Sequence, residues 1–182
     1  TEGFSLVAPE DRGPVDLAAW SRHHWLAARW RQTVGDQATL TVSARTFREK
    51  RGNGTAYQRN SSDEDFGSVA LTAESGKNFS WTALAYAQDQ SFSSTFGAVN
   101  ATRTTETPAS DQFAVPATAL GAAWTGVWSH PGEARTSAGL DLRRVRGETR
   151  EHFLFNAGAF ARERIAGGTQ EFAGLFALHE RA

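Results

Sequence analysis

The chain has 182 residues, a formal net charge of −1, 21% charged residues and no cysteine, so disulfide scaffolds and Cys-ligated metals are excluded and no strong pull toward nucleic acid is expected. Leu, Ile, Val and Phe together make up about a fifth of the residues, which borders on disordered composition, but the near-zero charge removes the usual companion of disorder. Isoleucine occurs once and alanine supplies the largest share of the apolar count, so the thick aliphatic core of a soluble sandwich is hard to build.

Residues 1–20 carry Pro9, Gly13 and Pro14 among acids and read as a loop. A first strand is predicted from about His24 to Thr33, with Leu26, Ala28 and Trp30 on one face and Ala27, Arg29 and Arg31 on the other. Gly35-Asp36 reverses it in a hairpin turn, and a return strand over about Ala38 to Phe47 sets Leu40, Val42 and Ala44 against Thr39, Thr41, Ser43 and Arg45. Arg48 to Asp65 is a loop on composition. A strand over about Gly67 to Ala73, a turn at Glu74 to Asn78 and a strand over about Phe79 to Gln88 follow; alternation weakens in the last, where Leu84 and Tyr86 have the opposite parity from Trp81. Gln90 to Ala119, with Pro108 and Pro116, is a second long loop. The clearest hairpin spans Leu120 to Arg143: Ala122, Trp124, Gly126 and Trp128 share a face, His130-Pro131-Gly132-Glu133 turns the chain, and Ala138, Leu140 and Leu142 return. Val145 to Thr169 is the third long loop, and a last strand lies near Phe172 to Leu178.

These elements predict an all-β fold, an antiparallel up-and-down meander of about seven strands. In a meander, successive turns lie at opposite ends, so the tight turns at Gly35, Gly76 and Gly132 fall at one end and the loops after Phe47, Gln88 and Arg143 at the other. One face is apolar and carries tryptophan, whereas the other bears Asp141, Arg143 and hydroxyls. Such a sheet suits a section of a transmembrane β-barrel, with lipid on one side and water on the other. Trp30, Trp81, Trp128 and Phe79 fall near the tight-turn ends, where an interfacial aromatic girdle sits. No long apolar run predicts a transmembrane helix, but a membrane strand needs only about nine to eleven alternating residues. The absence of methionine and the opening at Thr1 read as a processed chain or a piece of something longer.

Little in the sequence points to catalysis. No Gly-x-Ser-x-Gly elbow, His-Glu-x-x-His motif or phosphate-cradling glycine loop is present, so neither an enzyme nor a cofactor is expected. His23 and His24 are neighbours in a strand and point to opposite faces, while His130, His152 and His179 are scattered, so no metal site is expected. Asp141 and Arg143, with Arg29, Arg31 and Arg45, read as solvated charges lining a polar lumen. Arg51, Asn53, Tyr57, Arg59 and Asn60 are the candidate ligand-binding residues, a mix able to hydrogen-bond an anionic or polyhydroxy ligand. The Asn-x-Ser/Thr sequences at Asn53, Asn60, Asn78 and Asn100 read as chance in Ser/Thr/Asn-rich stretches.

A succession of phrases resembles the barrel of a TonB-dependent outer-membrane receptor. They are Arg45-Thr46-Phe47-Arg48-Glu49 into Arg51-Gly52-Asn53-Gly54-Thr55; Gln90-Ser91-Phe92-Ser93-Ser94-Thr95-Phe96 ahead of Glu106-Thr107-Pro108; Gln112-Phe113-Ala114-Val115-Pro116-Ala117 before Leu120-Gly121; Ala138-Gly139-Leu140-Asp141-Leu142-Arg143; and Gly167-Gly168 through Phe176. The resemblance covers nearly the whole chain. It implies that residues 1–182 are part of a bacterial outer-membrane barrel of about 22 strands, without the plug domain. By the same resemblance the parent protein imports a nutrient such as a siderophore-iron chelate or cobalamin. Its partners would be outer-membrane lipid, the nutrient, and an inner-membrane TonB energy-coupling protein engaged through the missing plug region. The rival readings are a soluble carbohydrate-binding or adhesin-like β-sandwich, in which a second sheet shields one face, and an outer-membrane barrel enzyme.

Overall fold

The computed structural model describes residues 3–181; Thr1, Glu2 and Ala182 lie outside them. Seven strands, β1 (Trp20–Val34), β2 (Ala38–Gly52), β3 (Arg59–Ser75), β4 (Phe79–Val99), β5 (Glu106–Ser129), β6 (Arg135–Asn156) and β7 (Ala159–Glu180), form one sheet in sequential order. Every neighbouring pair is antiparallel. The fold is therefore the expected all-β meander, as a single open layer. Short 3-10 turns at Pro9–Asp11 and Pro131–Glu133 are the only helical segments among the described residues. No helix is long and apolar enough to cross a membrane, which bears on helices alone.

The three stretches expected as long loops are mostly strand. Of residues 48–65, only 53–58 lie outside β2 and β3; of residues 90–119, only 100–105 lie outside β4 and β5; of residues 145–169, only 157–158 lie outside β6 and β7. Composition misleads here because Ser, Asn, Gly, Pro and charged residues dominate these strand ends, and their apolar pairs, such as Phe92 across from Val115, do not continue the apolar face. Cross-strand polar pairs hold them instead. The Arg48 guanidinium donates to Asp65 at 2.7 Å, and the Ser61 and Ser93 hydroxyls meet at 2.8 Å. Register shifts at Phe92/Ser94, Phe96/Gly97 and Asp111/Ala114 fall in the C-terminal part of β4 and the N-terminal part of β5. The contrast of tight turns with long loops correspondingly shrinks to turns at 35–37, 76–78 and 130–134 opposite connections at 53–58, 100–105 and 157–158.

The facing expected from alternation holds across the sheet. Trp30, Val42, Val69, Ala85, Ala122, Leu142 and Ala173 are successive register partners in one row, and Gln32, Leu40, Leu71, Ala83, Trp124, Leu140 and Leu175 form the next. The weak alternation of β4 resolves in favour of Trp81, Ala83, Ala85 and Ala87, leaving Leu84 and Tyr86 on the polar face. Neither face is covered by a second sheet among the described residues. Ala19 is the one buried hydrophobic residue among them, Leu175 is 87% exposed, and the accessible surface is 12370 Å², against about 8,600 Å² for a compact monomer of this mass.

Exposure also gives the sense of curvature. Tyr86, Gln88 and Gln90 of β4 are half-buried, whereas Ala85, Ala87 and Asp89 between them are exposed; β5 repeats the pattern, with Ala117, Ala119 and Gly121 less exposed than Thr118, Leu120 and Ala122. Side chains crowd on the inside of a curved sheet, so the polar face is concave and the apolar face convex. A layer without a core must be stiffened within itself, and three aromatic rings each cover a glycine directly across the ladder: Trp20 over Gly52, Tyr86 over Gly121 and Phe176 over Gly139. Glycine leaves room for the ring to lie flat on the neighbouring backbone. A Cβ on Gly121 would overlap the Tyr86 ring, whereas one on Gly174 meets nothing within 4 Å. Gly121→Ala is expected to cost about 1–3 kcal/mol and Gly174→Ala to stabilise by about 0.5–1 kcal/mol, measured as denaturation midpoints in detergent micelles.

Candidate functional site

The end of the sheet opposite the tight turns gathers its polar groups from four sequence-distant segments. The chain before β1 crosses this end: Phe4 and Ala19 form a bridge, the Leu17 amide donates to the Gly54 carbonyl at 2.8 Å, and the Val15 amide donates to the Arg103 carbonyl at 3.3 Å. Arg103, in the β4–β5 connection, grips Asp16 with two nitrogens, Nε donating to Oδ2 at 2.7 Å and Nη2 donating to Oδ1. The Gly13 amide adds a third bond to Asp16 Oδ2 at 2.8 Å. These bonds to Arg103 and Gly13 hold the Asp16 carboxyl below its ordinary 3.8, at about 2. The side chain of Asp16 is only 3% exposed. Residues 3–19 thus act as a strap over the connections at 53–58 and 100–105.

A second set of bonds joins those connections to the sheet. The Glu106 carboxylate accepts from the Thr55 hydroxyl and from the Tyr57 amide, the latter at 3.0 Å. The Thr95 hydroxyl donates to the Tyr57 carbonyl and accepts from the Arg59 amide at 3.1 Å. Desolvation, with the nearby carboxylates of Asp111 and Glu106, raises the Tyr57 phenol above its ordinary value, so it stays protonated at neutral pH. The Asn100 carboxamide closes the β4–β5 connection on itself, accepting from the amides of Thr104 at 2.8 Å and Thr105 at 3.1 Å. That loop-closing role gives Asn100 a structural reason for its place in an Asn-x-Thr sequence.

The five candidate ligand residues divide. Arg51 and Asn60 are register partners on the concave face, and the Asn53 side-chain amide donates to Asn60 at 3.2 Å, so these three come together. Arg51 also donates to Glu49 at 2.7 Å, and the Ser21 hydroxyl donates to the same carboxylate. Arg59 pairs with Gly52 and falls on the opposite face, while Tyr57 sits beside Glu106. Below this end the concave face carries Arg29, Arg31, Arg45, Asp141 and Arg143 on one side of the ladder, as expected. Arg45 pairs with Glu64, and Arg143 stacks 4.8 Å over Phe172.

Contacts of Asp16, Arg103, Thr55, Glu106 and Thr95 were invisible in sequence because each spans dozens of residues. The histidines also hold a surprise. His130 and His179, scattered in the chain, meet at the tight-turn end, where the Thr136 hydroxyl bridges His130 Nε2 at 2.8 Å and His179 Nδ1 at 2.9 Å. His23 and His24 do lie on opposite faces, His23 stacked on Phe47 at 6.2 Å. Among the described residues no group of three or more His, Cys, Asp or Glu could hold a metal. Compared with known proteins, the chain matches no family model, and no curated protein or solved structure is significantly similar to it.

The low pKa of docked Asp16 fixes a pH dependence. The free carboxyl binds its proton at higher pH than the docked one, so the strap's attachment is complete above about pH 4 and is lost as pH falls through about 2. Hydrogen exchange at Val15 and Leu17 should accelerate over that window. Asp16→Asn should reduce protection at neutral pH and flatten the dependence; unchanged protection in the variant would show that the backbone bonds alone hold the strap.

Proposed function

We propose that this chain is a section of the wall of a bacterial outer-membrane β-barrel, belonging to a receptor of the TonB-dependent kind that imports a nutrient such as a siderophore-iron chelate or cobalamin. The observation that carries the reading is the convex apolar belt on an uncovered sheet. Along β5 it runs from Trp128 to Leu120, nine residues whose eight steps span about 27 Å of strand. At a barrel tilt of about 40° that is about 21 Å across a membrane, close to the apolar band of outer-membrane barrels, about 25 Å. The belt ends upward in Asp65, Asp89 and Arg146, and downward in Phe79 stacked on Trp128 at 4.7 Å. Aromatic rings at that edge fit an interfacial position.

In the mechanism this reading implies, the strap-bound end faces the exterior and captures ligand with groups such as Arg51, Asn53 and Asn60. The concave face offers Arg29, Arg31, Asp141 and Arg143 to a hydrated lumen. A plug region, which the resemblance places outside this chain, gates passage and meets the inner-membrane TonB protein. The soluble carbohydrate-binding sandwich needs a second sheet over the apolar face, and all seven described strands lie in one layer.

The chain has no cysteine, so single cysteines report cleanly. In cells expressing the full coding region, a membrane-impermeant maleimide is expected to reach Ala70→Cys on the concave face and not Ala85→Cys on the convex one. Equal labelling of both in the folded protein would defeat the wall reading. Uptake of a radio-iron-loaded hydroxamate chelate and of labelled cobalamin, each with and without a protonophore, tests the import half; loss of the gene should abolish one energy-dependent uptake. A charge at mid-belt separates the two faces energetically. Ala85→Arg is expected to cost about 2–4 kcal/mol in a bilayer and Ala70→Arg less than about 0.5 kcal/mol, read from urea titrations in vesicles.

A further inference from the structure

We propose that the convex face of β5, β6 and β7 holds one anionic lipid, with its acyl part between Leu120 and Leu142 and its phosphate against Arg144 and Arg146. The proposal rests on the membrane-wall reading and adds a partner to it. Between β5 and β7 the convex face is hollowed into an open groove of about 510 Å³, lined by Leu120, Ala122, Leu142, Arg144, Glu171 and Ala173. Small side chains at 122 and 173 beside the two leucines make the hollow. Immediately above it, toward the strap-bound end, a second depression of about 220 Å³ is lined by Pro116, Thr118, Arg146, Glu148 and Arg150. The register joins them: Leu120 pairs with Arg144, and Thr118 with Arg146. An apolar hollow thus opens directly onto a cationic one, the arrangement that an acyl chain and its phosphate require.

The charges at the junction are available. Arg146 has no carboxylate within 4.0 Å among the described residues, and Arg144 reaches Glu171 only at 3.5 Å, with both side chains well exposed. Such an exposed pair is worth little, so the Arg144 fork can turn to a phosphate, which guanidinium binds with paired hydrogen bonds. Arg150 is already committed to Glu148, and the carboxylates of Glu148 and Glu171 are the opposing charges. An edge effect does not explain the unpaired guanidinium, because β6 is an interior strand whose neighbours are both described. Arg29 and Arg31, on the edge strand β1, lack that support.

Trp124, across from Leu140 on the same face, reports on the groove. The full chain in zwitterionic micelles is titrated with phosphatidic acid brominated on its acyl chains, and separately with brominated phosphatidylcholine. Tryptophan quenching should occur at about five-fold lower concentration of the anionic lipid, the effect expected of a single basic side chain at a membrane surface. Arg144→Gln/Arg146→Gln should erase that preference and leave quenching by phosphatidylcholine intact. Lys77→Gln/Arg135→Gln, which removes equal charge at the tight-turn end, should keep it. Equal potency of the two lipids, or a preference surviving in the Arg144/Arg146 variant, overturns the site while leaving the wall reading in place. Quenching by neither lipid overturns both. Loss of the anionic preference in millimolar inorganic phosphate, with quenching by phosphatidylcholine unchanged, would assign the arginines to free phosphate and overturn the lipid. A lipid-free dimer with Trp124 shielded from a water-soluble quencher would put a second copy in the groove instead.

Discussion

Cross-strand pairing is the interaction on which this molecule depends. Among the described residues no second layer covers the sheet, so a residue's partners are those across the ladder and diagonal to it on the same face. Three consequences follow from that single dependence. Aromatic rings lie over glycines on the adjacent strand, because there is no opposing layer for them to enter. Polar strand ends persist far above the apolar belt, because hydroxyl and ion pairs across the ladder replace burial. Through the belt, register is held across all seven strands, because slipping one strand by one residue would exchange its belt side chains with its arginines and hydroxyls.

The distribution of polarity inverts that of a soluble curved sheet. Gln88, Gln90 and Arg143 lie on the inside of the curve, and Leu120, Leu140 and Leu142 on the outside. In water the convex face would be an aggregation surface far larger than a monomer tolerates, whereas in hydrocarbon the same face is at home and the concave side can be wet. Closure of the layer around such a wet interior would remove the two exposed edges as well. The wall reading therefore accounts for faces, edges and the aromatic rim with one environment.

The lower half of the sheet was legible in the sequence because period-two alternation survives wherever one face is apolar and the other polar. Leu40, Val42 and Ala44 on β2 and Trp124 to Trp128 on β5 were readable for that reason. The upper half was not. Where neither face is continuously apolar, as in 59–65 or 106–118, alternation disappears and Ser, Asn, Pro and Gly read as loop although the ladder continues. Of the candidate ligand residues, Arg51 and Asn60 were close enough in sequence to be grouped, but parity separates Arg59 from them across a strand end that composition had taken for a loop. The Asp16–Arg103 grip and the Glu106 contacts depend on tertiary closeness that no local pattern encodes.

The strand count carries a constraint on assembly. Since β1 and β7 are the first and seventh strands of a meander, both run from the strap-bound end toward the tight turns. Joining the β7 edge of one copy to the β1 edge of another would bring two parallel strands together, foreign to the alternation that holds everywhere else in this sheet. Joining like edges about a two-fold axis would restore antiparallel pairing but point the straps to opposite sides of a membrane. A ring in which every neighbour is antiparallel contains an even number of strands, so whatever bridges these two edges within such a ring contributes an odd number.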